Sequence, residues 1–184
     1  MKKLISVVMC LLIILSTTFC LAGCKSRTDE MVDLETYTTK QMNITKKQVI
    51  KCINKQDKEG LKKLFSKDAQ KHIEDLDSKL DQFINTFNGN KIESAKGCDP
   101  NFEGSTQAQP LHIFGKYHLT LSNGDKYILF INTCDIDEDN KDREGIYQLV
   151  ILTFSSEEVP EDFRMEGTNN DYGIFIYSKD GTLL

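Results

Sequence analysis

Residues 111–134 read LHIFGKYHLTL, SNGD, KYILFINTC. Leu111, Ile113, Tyr117, Leu119 and Leu121 recur every second position, the period of a strand buried on one face. Asn123-Gly124 between two apolar runs signals a two-residue hairpin turn, with Asp125 to Cys134 as the return strand. That turn predicts Leu119 opposite Ile128 and Tyr117 opposite Phe130 on one face. His118 then faces Leu129, and Thr120 faces Tyr127, on the other. The first face is uniformly apolar and is expected to cover helices. The second combines His112, Lys116 and His118 with Tyr127, Leu129 and Ile131, too many apolar groups for water alone. It predicts a surface for a homodimer or an envelope partner, or a fold-back cover by residues 24–43 or 155–171.

The rest of the chain extends this pattern on both sides. Lys91 to Gly97, Gly145 to Phe154 and Tyr172 to Tyr177 read as further strands, giving an antiparallel sheet. Upstream the period changes to that of helices. Thr45 and Gln48 form a capping box and Ile44 and Val49 the matching staple, so the first helix is expected from Thr45 to about Gln56. Asp57 caps a short helix carrying Leu61, Leu64 and Phe65. A third helix, from about Lys67 to Phe87, presents Ala69, Ile73, Leu76, Leu80, Phe83, Ile84 and Phe87 as one stripe, and Gly89 ends it. Helices followed by a sheet predict an α+β fold with one core.

The chain has 184 residues and a formal net charge of -5. No basic stripe with interleaved aromatics is present, which argues against nucleic acid. Lys2 and Lys3, an apolar run from Leu4 to Leu15, and small residues before a cysteine form a secretory signal too short for a membrane span. Its ending, Leu21-Ala22-Gly23-Cys24, resembles the lipobox of bacterial lipoproteins. The resemblance implies cleavage before Cys24, a diacylglyceryl group on its thiol, and residence on the extracytoplasmic face of the cell membrane. Acyl chains contribute about 0.8 kcal/mol per buried CH₂, so two chains hold stably. Loss of Lys2 and Lys3 takes the net charge to -7. The expected organisation is signal peptide 1–23, tether 24–43 and domain 44–184. Of the six cysteines, Cys52, Cys98 and Cys134 remain, which allows one disulfide in three pairings or three small apolar core residues.

The order of helices and sheet resembles the NTF2-like (cystatin-superfamily) cone, from about Thr45 to Tyr177. The opening Val49 to Phe65 carries the likeness, a helix, a Lys-Gln-Asp-Lys break and then Leu-Lys-Lys-Leu-Phe. The whole chain resembles a Gram-positive lipoprotein family with such a domain and no assigned activity. The resemblance implies a curved antiparallel sheet under N-terminal helices, a pocket between the two, and in many relatives pairing through the sheet. Tyr117, Phe130 and Tyr147 are the pocket-facing candidates.

Candidate chemistry is sparse. Asp135, Asp137 and Asp139 open like a calcium loop, but Asn140, Asp142 and Ile146 stand where glycine, an apolar residue and a bidentate glutamate belong. A solvated hairpin loop is the expectation, with no metal. A second acidic stretch, with Glu157, Glu158, Glu161, Asp162, Glu166 and Asp171, should lie at the opposite end of an antiparallel meander. His112 and His118 stand about 20 Å apart along one strand and are read, with His72, as surface histidines. No phosphate loop, GxSxG elbow or HExxH occurs, and no cofactor is implied. Isomerases of the NTF2-like type pair a buried carboxylate with a tyrosine. Tyr117 or Tyr147 supplies the phenol, but no inward carboxylate appears, so no catalytic residue is assigned. The expectation is a non-catalytic, lipid-anchored binding or accessory module. An isomerase or dehydratase with an unrecognised carboxylate, or an envelope assembly protein, is the alternative.

Overall fold

A computed structural model describes residues 27–97, 100–105, 110–155 and 172–184. The signal segment, Cys24, Cys98 and the second acidic stretch lie outside the described residues. Contacts divide the chain into residues 1–35 and 36–184. In the first unit the described part is the opening of a helix, with Met31 and Val32 exposed.

The fold is α+β, and the described residues form four α-helices and a mixed six-stranded sheet. Helix α1 (Arg27–Lys55) runs straight through the expected start at Thr45. Thr45 makes no cap there. Its hydroxyl donates to the Gln41 carbonyl 3.2 Å away, as threonine does inside a helix. Ile44 is exposed while Val49 is fully buried, so the two form no staple. Thr38, Met42, Val49, Cys52 and Ile53 make the buried stripe instead. Helix α2 (Lys58–Lys62) is capped as expected, Asp57 accepting from the Gly60 N–H at 2.8 Å. The third expected helix is broken into α3 (Lys67–His72) and α4 (Leu76–Asn85) by extended Ile73 and left-handed Asp75. The stripe itself survives. Ala69, Ile73, Leu76, Leu80, Phe83, Ile84 and Phe87 are all buried.

Six strands follow: β1 (Ile92–Gly97), β2 (Asn101–Glu103), β3 (Leu111–Leu121), β4 (Lys126–Ile136), β5 (Gly145–Leu152) and β6 (Gly173–Tyr177). The order is β1-β3-β4-β5-β6, and β2 pairs the first part of β3. An all-antiparallel sheet is not found, because β6 lies parallel to β5. Strand β5 ends beside the β3–β4 turn, and β6 begins toward the end of the sheet that holds the Asp135–Glu144 loop.

The β3–β4 register also differs from expectation by one residue. Leu119 pairs Tyr127, Tyr117 pairs Leu129 and His118 pairs Ile128. Ser122 joins Asn123 and Gly124 in a three-residue loop, closed by Gly124 N–H to Leu121 O and Leu121 N–H to Asp125 O, each 2.9 Å. Gly124 takes the left-handed position at φ 89° that such a loop requires. A one-residue slip exchanges the faces of the partner strand. Tyr127, Leu129 and Ile131 thus join Ile113, Tyr117 and Leu119 on the helix side, all nearly or fully buried, and the Tyr127 ring meets Phe87 of the helical layer. The interface expected from those three residues is turned inward. The opposite face carries Ile128, Phe130, Val150, Leu152, Phe154, Phe175 and Tyr177 as a second apolar cluster, mostly buried within the one chain.

Candidate functional site

The three sequence candidates do not gather. Tyr117 lies on the helix side and is 4% exposed. Its ring fills the room left by Gly97 and Gly115, where an added Cβ would meet it at 2.5 and 2.7 Å, and Lys46 Nζ stands 4.9 Å from its centroid. Burial pushes its hydroxyl up to about 12. Phe130 lies on the other face, under Lys116 and against the second apolar cluster. Tyr147 alone is placed among chemistry-bearing groups.

Two β-bulges at one end of the sheet produce that grouping. In the β3–β4 ladder His112 pairs Cys134 while Leu111 pairs Ile136, so Asp135 is an extra residue. In the β4–β5 ladder Asn132 pairs Gln148 while Thr133 pairs Ile146, so Tyr147 is an extra residue. A bulge re-aims the side chain it inserts. Asp135 is turned to Tyr37 of α1, whose hydroxyl donates to Oδ2 at 2.6 Å. Tyr147 is turned to His112, with ring centroids 5.5 Å apart and planes at 86°. The bulged strand is held from outside. Ser66 N–H donates to Ile146 O and Ile146 N–H to Leu64 O, each 2.9 Å.

Across this end the strands place Glu103, His112 and Cys134 in register, one on each of β2, β3 and β4. Tyr147 follows on β5, and Tyr172, just before β6, meets Tyr147 edge to face at 6.3 Å. Helix α3 closes the row. Tyr172 donates to Asp68 Oδ2 at 2.5 Å and stacks on His72, centroids 5.2 Å apart. Arg143 lies between Asp68, 3.9 Å away, and Asp137, 3.5 Å away.

The described residues hold three buried polar side-chain atoms without a hydrogen-bond partner: His112 Nδ1, Tyr147 Oη and Asp137 Oδ2. All three lie at this end of the sheet. Such atoms are rare because each costs about 1–3 kcal/mol. For Asp137 the structure supplies a partial answer. Its Oδ1 accepts from the N–H groups of Asp139 and Asn140, and Arg143 faces Oδ2. The calcium-like triplet is thereby dispersed: Asp135 serves Tyr37 and Asp137 shapes the loop. No group of three His, Cys, Asp or Glu among the described residues is arranged to hold a metal. For His112 Nδ1 and Tyr147 Oη the described residues supply no such partner.

Their protonation states follow from burial. Desolvation lowers the His112 pKa below its ordinary 6.5, against the pull of Glu103 and Asp137. The Tyr147 hydroxyl is pushed well above its ordinary value by burial. The Tyr172 hydroxyl rises to about 12, by burial and then by its bond to Asp68. Cys134, 2% exposed, has its thiol pushed up to about 11 by burial, which leaves it unreactive. Cys52 and Cys134 are free and buried. The site at neutral pH is thus a neutral imidazole and a neutral phenol, beside carboxylates.

Sequence reading placed His112 on the surface. The structure half-buries it and seals Nδ1. The missed members, Glu103, Asp68 and Tyr172, come from a three-residue strand, a helix and a strand entry that no single spacing links. Two shallow clefts, of about 230 Å³ beside Asn54 and Phe87 and about 210 Å³ beside Gly124 and Lys179, contain none of these residues.

Residues 48–155 match the family described as a domain of unknown function, DUF5104, and the chain belongs to that family. The match takes in Glu103, His112 and Tyr147. No curated protein matches the chain. No helix among the described residues is long and apolar enough to cross a membrane.

Proposed function

We propose that this protein is a lipid-anchored extracytoplasmic module of the NTF2-like (cystatin-superfamily) type, held by Cys24, that binds a small ligand at the bulged end of its sheet. The signal segment and the Leu-Ala-Gly-Cys ending support the anchor. Helices leading into a long sheet support the fold relationship, although the parallel β6 departs from an antiparallel cone. One observation carries the binding reading. His112 Nδ1 and Tyr147 Oη are buried, carried on rings 5.5 Å apart, and without a hydrogen-bond partner among the described residues. Orphaned buried polar groups call for an explanation, and a bound ligand that completes them is the one proposed here.

Two experiments test this. A palmitate analogue should label the wild type and leave Cys24→Ala unlabelled. Equal labelling removes the anchor. Protein purified from its own membranes should release a small molecule on denaturation, and the double variant His112→Phe, Tyr147→Phe should release none. If neither releases one, the binding reading fails.

An acid–base enzyme of the isomerase or dehydratase type is the second reading. It is favoured by the pairing of Glu103 with His112, which gives an imidazole a carboxylate neighbour next to a phenol.

A further inference from the structure

We infer that the ligand of this site is a small organic ammonium ion, received by Glu103, His112 and Tyr147. The inference rests on the binding reading and adds the charge class of what is bound.

Charge selects the sign. Three carboxylates, Glu103, Asp68 and Asp137, surround the row, and one guanidinium, Arg143, is shared between two of them. An anion brought to the buried Tyr147 Oη meets this excess where effective permittivity is low. A cation is drawn in by the same field. Asp137 and Asp68 are already engaged by Arg143, by backbone N–H groups and by Tyr172. Glu103 is the exposed carboxylate of the three, paired with His112 across the β2–β3 ladder.

Hydrogen-bonding capacity admits the group. An ammonium offers three donors and no acceptor. The row offers three acceptors on three strands: the Glu103 carboxylate, the Tyr147 hydroxyl oxygen and, in the Nε2–H tautomer, His112 Nδ1. The acceptor at Tyr147 is the second and independent sign of a ligand, since that residue is 4% exposed and its hydroxyl has no partner among the described residues. Four aromatic rings, His112, Tyr147, Tyr172 and His72, follow one another along the row. Ring faces attract cations, most strongly where water is excluded. A ligand carrying the ammonium on an apolar body fits both properties.

Three probes of one shape separate charge from shape: benzylammonium, benzyl alcohol and benzoate, titrated into the full chain in detergent and followed by saturation-transfer NMR. Benzylammonium should bind at least tenfold tighter than the other two. Glu103→Gln should weaken it at least tenfold, and Glu93→Gln, an exposed carboxylate on β1, should leave it unchanged. Binding of benzoate or benzyl alcohol equal to that of benzylammonium overturns the charge class and leaves the binding reading standing. Unchanged affinity in Glu103→Gln, or no binding of benzylammonium, also overturns it. The co-purification experiment judges the binding reading separately.

Discussion

The Tyr172 hydroxyl donates to Asp68 Oδ2 at 2.5 Å, joining residues 104 apart in sequence. This bond ties the entry of β6 to helix α3, which is itself anchored to β5 through Ser66 and Ile146. Tyr147 neighbours both attachments, following Ile146 in β5 and meeting the Tyr172 ring at 6.3 Å.

Tyr172→Phe removes the bond and leaves Asp68 with Arg143 at 3.9 Å and His72 at 3.6 Å. A bond to a charged acceptor is worth about 1.5–3 kcal/mol, and partial exposure favours the lower figure. Urea unfolding should show a loss of about 1.5 kcal/mol. An unchanged midpoint would mean that α3 and β6 are held by other contacts.

Gly145→Ala should be far worse than Gly124→Ala. Both glycines have positive φ, 132° and 89°. At Gly124 an added Cβ meets nothing within 4 Å, so only the left-handed penalty of about 1–2 kcal/mol applies. At Gly145 it meets Ser66 N at 2.7 Å and Leu64 O at 3.1 Å, backbone that bridges to Ile146. Thermal unfolding of the two variants should differ by more than about 1 kcal/mol. Equal losses would remove the bridge from the account of how the bulge is held.

Stability should fall on mild acidification because of His112. Burial holds its folded pKa below the ordinary 6.5, so just below that pH the unfolded chain binds more protons than the folded one. The contribution is complete above about pH 6.5 and is lost as pH drops toward the folded pKa. Denaturant melts between pH 7.5 and 5 should show this slope in the wild type and a shallower one in His112→Gln. Parallel slopes would place the acid sensitivity elsewhere.

Leu80→Ala tests the helical layer. Leu80 is fully buried, and its loss should cost about 2–5 kcal/mol in equilibrium unfolding. A negligible loss would mean that α4 contributes little to the core.

The α+β order, the stripe from Ala69 to Phe87 and the inward face of β3 are legible because each rests on a period repeated several times. The register was not, because it hangs on one turn. Asn123-Gly124 fits a two-residue loop, and only the bonds around Ser122 and Asp125 reveal three. That single residue moves Tyr127, Leu129 and Ile131 from one face to the other. The site was harder still. His112, Tyr147 and Tyr172 meet through two bulges and a parallel last strand, none of which alters hydrophobic period. The one local sign is Gly145, a glycine two residues before Tyr147 that opens the strand where its backbone passes Ser66.

The central claim is that the Tyr147 hydroxyl is unpaired in the ligand-free chain and reserved for a ligand. Tyr147→Phe tests it in one thermal melt of ligand-free protein. If the hydroxyl has no partner, removing it relieves a buried polar atom, and the melting temperature should be unchanged or higher. A fall of several degrees would show that the hydroxyl is already bonded in the folded chain and would contradict the claim.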